Sequence, residues 1–182
     1  MKYLIMCEGP NEKKIIDMLL EHQKLTVCED DLVGRVTYHA RQIGKSPMVM
    51  GQLRIYGGDV EVWRIGDRQT DKLIIPAEFK NQIKKVTKFC TLPELEILLI
   101  LSEKKFKEYE KGKSQKHPKD FAKENICYNR RKYKGDTKFY EEYYGNDIPK
   151  LIKAIQEYKQ RNHAHRNDEH YLIELLNPQK FF

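Results

Sequence analysis

Two acids of this chain stand where an apolar run gives way to a turn. Glu8 follows Tyr3-Leu-Ile-Met-Cys7 and precedes Gly9; Asp67 closes Asp59-Val-Glu-Val-Trp-Arg-Ile-Gly66. A third acidic pair, Glu94 and Glu96, follows Pro93. In open α/β sheets ligands bind at the C-terminal ends of the strands. If the strands ending at 8 and 67 are parallel neighbours, that edge brings Glu8 and Asp67 together. Converging carboxylates repel and hold protons more tightly unless a cation neutralises them. Oxygen donors without His or Cys favour magnesium or manganese, which serve phosphoryl transfer by polarising phosphate and acidifying water. The competing reading is that each acid only caps or solvates a turn.

The surrounding pattern must position these acids. Tyr3 to Cys7 reads as a buried strand, and Asn11 stands as the N-cap of a helix to about Leu25, with Ile15, Ile16, Leu19 and Leu20 on its apolar stripe. Residues 26–58 are glycine-punctuated, and the alternation in Arg35–His39 and Gln52–Tyr56 predicts two half-exposed strands. Asp59–Asp67 is a clearer strand, with Val60 and Val62 on one face and Glu61, Trp63 and Ile65 on the other. Pro76 to about Val86 predicts a helix carrying Ile75, Phe79, Ile83 and Val86. The run after Pro93 fits a buried strand or a helix; Pro93 at its start and no breaker to Lys111 favour a long helix. A short helix is expected at Pro118–Ile126, an amphipathic one from Pro149 to about Arg161, and a closing apolar segment at Tyr171–Leu176.

The fold class implied is α/β, a small mostly parallel sheet with flanking helices (residues 1–103) followed by a helical, basic extension (104–182). Of 182 residues, 34% are charged and 40% apolar, with a net charge of +7. The charge is uneven. Residues 104–166 carry 18 Lys/Arg against nine Asp/Glu, which suggests that this half faces a polyanion, nucleic acid first. A solvated basic surface explains the same counts. Cys7, Cys28, Cys90 and Cys127 lack metal-site spacing and read as small buried hydrophobes in a reducing compartment. No signal peptide or membrane span is expected, and the cytoplasm is the expected location.

The strand ending Cys7-Glu8-Gly9, with Pro10-Asn11-Glu12 and a helix after it, resembles the opening motif of the TOPRIM fold. That fold is shared by type IA and type II topoisomerases, primases, OLD-family nucleases and RloB-like proteins. Leu92-Pro93-Glu94-Leu95-Glu96-Ile97-Leu98-Leu99 is similar to the helix start that RloB-like sequences place after their acidic strand. The resemblance covers residues 2 to 103. It implies that Glu8 acts in acid–base chemistry or metal binding, that Asp67 is the first acid of a magnesium-holding Asp-x-Asp, and that Glu96, with Glu94 less so, turns toward the site. Position 69 is Gln, so the second acid is missing; Asp71 stands in only if the loop bulges. The implied catalytic residues are Glu8, Asp67 and Glu96, and the implied metal ligands Glu8, Asp67 and Asp71. Relatives of this kind often belong to prokaryotic phage-defence systems, so nucleic-acid processing or defence is the implied role.

Basic and aromatic residues offer contacts to nucleic acid. Arg68 either grips a phosphate or pairs with Asp67 or Asp71. In Cys127–Lys134, Arg130, Arg131 and Lys132 can neutralise phosphates while Tyr133 stacks on a base. Tyr140 and Tyr144, four apart, read instead as packing. Arg161-Asn-His-Ala-His165 resembles the Arg/His motif of HEPN ribonucleases, which need no metal, but its spacing is too short; a frayed helix end explains it as well. Two functions therefore stand open. One is a magnesium- or manganese-dependent, nuclease-like enzyme acting on DNA or RNA. The other is a binding module with a degenerate site, holding nucleic acid or a partner protein, with a homodimer compatible with either.

Overall fold

The structure is a computed structural model that describes residues 1–67, 72–113, 115–161 and 165–181. The chain opens with β1 (Lys2–Cys7) and α1 (Pro10–Glu21). Two short 3-10 turns lead to β2 (Tyr38–His39), then α2 (Pro47–Tyr56), β3 (Val60–Gly66) and β4 (Ile83–Cys90). The second half contributes α3 (Ile97–Ser102), α4 (Phe106–Gly112), α5 (Pro118–Asn125), the hairpin β5 (Cys127–Tyr128) and β6 (Arg131–Lys132), α6 (Thr137–Tyr144), α7 (Ile148–Arg161) and β7 (Glu169–Tyr171).

Five strands form one sheet in the order β2-β1-β3-β4-β7, every pair parallel. This is an α/β, Rossmann-like architecture. β3 and the last four residues of β1 are buried on both faces, as parallel sheets favour. Leu4 and Met6 of β1 join Val60 and Val62 beneath α2, while Ile5 and Cys7 join Trp63 and Ile65 on the opposite face. That second face carries the larger core, where α1 packs on α6 and α3 on α7. Apolar packing is continuous across residue 103, and β7 adds a fifth strand from the basic half to the sheet. Among the described residues no helix is long and apolar enough to cross a membrane.

Several expected elements differ. Residues 52–56 are the end of α2, not a strand. Ser46 caps that helix by accepting from the Val49 N–H, Pro47 opens it, and Gly57 closes it in the left-handed region at φ 65°. The expected helix from Pro76 to Val86 is a 3-10 turn, Ala77–Phe79, followed by β4. Pairing with β3 along its whole length favours the extended form for Val86 and Thr87, both β-branched. The long helix after Pro93 is two, because Lys104 takes φ 58° and turns the chain between α3 and α4. Asn11 is not the N-cap; Gly9 is, with Pro10 at the first helical position. Cys28 and Cys127 are exposed rather than buried, and all four thiols are free.

The short helix α3 is apolar on every side because it is enclosed: Ile97 to Leu101 are all buried. Leu99→Ala should cost about 2–5 kcal/mol of unfolding free energy. Ile55→Ala, at an exposed position of α2, should change stability by less than about 0.5 kcal/mol. Denaturant melts of the two variants check this; equal losses would contradict the enclosure of α3.

Candidate functional site

The site begins with strand register. Cys7 pairs with Ile65, and the Glu8 N–H donates to the Ile65 carbonyl at 2.8 Å. β1 and β3 therefore release their chains side by side, and Glu8 and Asp67 leave the sheet at the same rim. The Thr91 N–H, donating to the Gly66 carbonyl at 3.0 Å, carries β4 to that rim as well. From there Leu92 and Pro93 lead to Glu94 and Glu96. The first turn of α1 adds Asn11 and Glu12.

These residues line a polar cleft of about 170 Å³ with Arg41 and Lys119. Glu8 Oε1 accepts from Arg41 at 3.0 Å, and the Arg41 side chain is otherwise exposed. Glu94 Oε2 accepts from the Lys119 N–H at 2.9 Å, tying the cleft to the first turn of α5. Glu96 is 5% exposed, and its Oε1 accepts from the Tyr133 hydroxyl at 2.6 Å. Glu12 folds back over Gly9 and takes its own backbone N–H. A side chain at position 9 would meet it: a Cβ there lies 2.5 Å from Glu12 Oε2.

Five carboxylates in one cleft raise the cost of every charge. Burial pushes the Asp67 carboxyl up to about 8, helped by Glu12, Glu8, Glu94 and Glu96. Burial also raises Glu12, with Glu96 and Glu8 adding to it, against the pull of its own N–H and of Lys119. Asp67 Oδ1 and Glu8 Oε2 are both buried and accept no hydrogen bond among the described residues. Buried polar oxygens are normally paired. Two orphaned carboxylate oxygens on residues that line one polar cleft fit a hard cation with oxygen ligands. Among the described residues no group of three or more His, Cys, Asp or Glu side chains is arranged to hold a metal. A cation would thus take these two acids plus oxygens of another kind.

Of the residues expected from sequence, Glu8, Asp67 and Glu96 share the cleft. Arg68 and Asp71 lie outside the described residues. The basic segment is elsewhere in use. Tyr133 is 1% exposed and packs against Phe139 and Tyr140, so neither face of its ring is open to a base. Arg131 bonds Asp136 at 2.6 Å and Glu142 at 2.9 Å, fixing the hairpin to α6. Arg130 stands exposed at the tip of that hairpin, where it and Asn129 take positive φ, and Lys132 is exposed beside it. These two remain open to a polyanion. His163 lies outside the described residues. Arg161 bonds Glu157 and lies over Phe106, whereas His165 stacks on Tyr171. Sequence reasoning missed Glu12, Arg41 and Lys119. Glu12 was visible as an acid four residues after Glu8, but Arg41 and Lys119 arrive through tertiary packing that no local pattern records. Comparison with protein-family models, with curated proteins and with solved structures gave no match.

The raised carboxyl of Asp67 makes stability depend on pH in a definite direction. The native state keeps this proton up to about pH 8, while the unfolded chain releases it near the ordinary aspartate value of about 3.9. Below that both states hold it. As pH rises through the window the native state binds more protons, so stability falls, levelling above about 8. In chelator, Asp67→Asn should remove most of this slope and exceed wild type by about 1–3 kcal/mol at pH 9. Denaturant melts across pH 5 to 9 measure the gap; a gap independent of pH would refute the assignment.

Proposed function

We propose that the cleft is the active site of a magnesium- or manganese-dependent phosphoryl-transfer protein, nuclease-like, acting on nucleic acid. One observation carries the reading: acids from the ends of two adjacent parallel strands line one cleft, and each keeps a buried oxygen without a partner among the described residues. Glu8 and Asp67 would hold the ion. When bound, it supplies Lewis-acid polarisation of a phosphate and acidifies water.

The rest of the work falls to this chain's own groups. Arg41 and Lys119 bring positive charge to an otherwise acidic cleft, and a phosphodiester needs such partners for its oxygens. Glu12, whose carboxyl holds its proton to higher pH than usual, is suited to giving a proton to the departing oxygen. Glu96 is held in one orientation by the Tyr133 hydroxyl and completes the acidic lining of the site. Exposed Arg130 and Lys132, with the basic surface of the second half, would hold the polyanion away from the acids. Four free thiols are consistent with the reducing cytoplasm. A place in prokaryotic phage defence rests on the TOPRIM and RloB-like resemblance alone.

A second reading has one observation in its favour. Arg41 already pairs with Glu8, as it would in a module that binds nucleic acid without metal. That reading expects salt-sensitive binding that survives chelation and Glu8→Gln.

Thermal melts separate the two. If the ion binds with a Kd of about 1 mM, 10 mM Mg2+ should stabilise by about 1.4 kcal/mol, roughly 3–6 °C in Tm. Asp67→Asn should abolish that increment. Cleavage of plasmid or single-stranded substrate should need the metal and fail in the same variant. No increment in wild type with either Mg2+ or Mn2+ would refute the enzymatic reading.

A further inference from the structure

Three buried side-chain oxygens lack a hydrogen-bond partner among the described residues: Glu8 Oε2, Asp67 Oδ1 and Asn11 Oδ1. All three residues line the same cleft. The other buried carboxylates, Glu96 of the same cleft included, are served. Glu61 accepts from Trp63 at 3.0 Å and Thr87 at 2.7 Å, Glu96 from Tyr133, and Glu169 from the Arg166 N–H at 2.9 Å. A buried polar atom without a partner costs about 1–3 kcal/mol. The chain thus gathers its orphaned acceptors in one place. A single water has two hydrogens to give and would leave one of the three unserved, whereas a hard cation takes six or more oxygens.

The neutral member of the trio is the informative one. Asparagine near a helix start ordinarily caps it, but Gly9 occupies the cap, which leaves the Asn11 side chain inside the first turn and free of that duty. Its amide orientation is set from outside the cleft. Asn11 Nδ2 donates to the Gly135 carbonyl at 3.3 Å. Turning the amide over would set two carbonyl oxygens against each other at Gly135, so the NH2 must face the loop. That leaves Oδ1 buried and without a partner among the described residues, on a residue that lines the acidic cleft. An acceptor so placed is unfavourable until something positive stands beside it.

We propose that the Asn11 side-chain carbonyl is the third protein ligand of the divalent cation, joining Glu8 and Asp67, with the Gly135 carbonyl as the outer contact that orients it. This rests on the metal reading above. Two carboxylates and one neutral oxygen carry charge matched to a divalent ion, without adding a further acid to a crowded cleft.

Calorimetric titration of Mn2+ into nucleic-acid-free protein tests this directly. Wild type should bind one ion in the cleft, and Asn11→Leu, similar in shape but without the oxygen, should bind at least about tenfold more weakly. Asn11→Ala, which removes the same oxygen with no added bulk, should lose as much. Unchanged affinity in Asn11→Leu overturns the proposal. Should Asn11→Leu fail to fold, unchanged affinity in Asn11→Ala overturns it instead. Wild type that binds no Mn2+ sinks the underlying metal reading, an outcome distinct from wild type that binds while both variants match it.

Discussion

Parallel pairing of β1 with β3 is the constraint on which the rest depends. Glu8 and Asp67 are 59 residues apart in the chain, and nothing local relates them. The register Cys7 to Ile65, continued by the Glu8 N–H to the Ile65 carbonyl, sets them at one rim. The strands must therefore be held rigidly, and they are. All seven residues of β3 are buried, as are the last four of β1. A slip of one residue would turn Ile5 and Cys7 to the α2 side and break both cores at once. The apolar alternation that stabilises the sheet is thus the same device that aims the acids.

The second half of the chain supports the site rather than standing apart from it. Tyr133, Tyr140, Tyr143 and Tyr144 are all buried, and their hydroxyls find acids, a serine or one another. Tyr133 reaches Glu96 and Tyr140, Tyr144 shares a bond with Ser102, and Tyr143 reaches Glu103. Burial raises each of these phenols above its ordinary value, so they act as donors across the pH range in which the protein would work. The loop after β6 supplies the Gly135 carbonyl, and α5 supplies Lys119. Removing this half would leave Glu94, Glu96 and Asn11 without the groups that orient them.

Much of this was legible in the sequence, and the failures have physical causes. The strands ending at Glu8 and Asp67 could be read because fully buried parallel strands are continuous apolar runs ended by Gly. Helices α5 and α7 announced themselves through Pro starts and apolar spacing. Residues 52–56 misled because five residues of alternation fit either period, while the stronger cap signals of Ser46, Pro47 and Gly57 lay outside the window. Strand β4 hid behind a helical stripe at Phe79, Ile83 and Val86, and only pairing with β3 decides it. At the site, the acids were visible by type. Arg41 and Lys119 were not, because their placement comes from β2 and α5 docking onto the rim. Tyr133 was read as a base-stacking residue because a Tyr among Arg and Lys looks the same whether its ring points out or in.

The central claim is that this rim is a divalent-cation site, and Mn2+ offers the most direct test because it broadens NMR signals only near itself. In isotope-labelled protein titrated with substoichiometric Mn2+, amide signals of Glu8 to Glu12 and of Gly66 and Asp67 should broaden first. Those of Asp30, Asp31 and Glu108, acids far from the rim in sequence and surface-exposed, should stay sharp. Broadening that begins at such surface acids, or spreads without preference, would contradict the account.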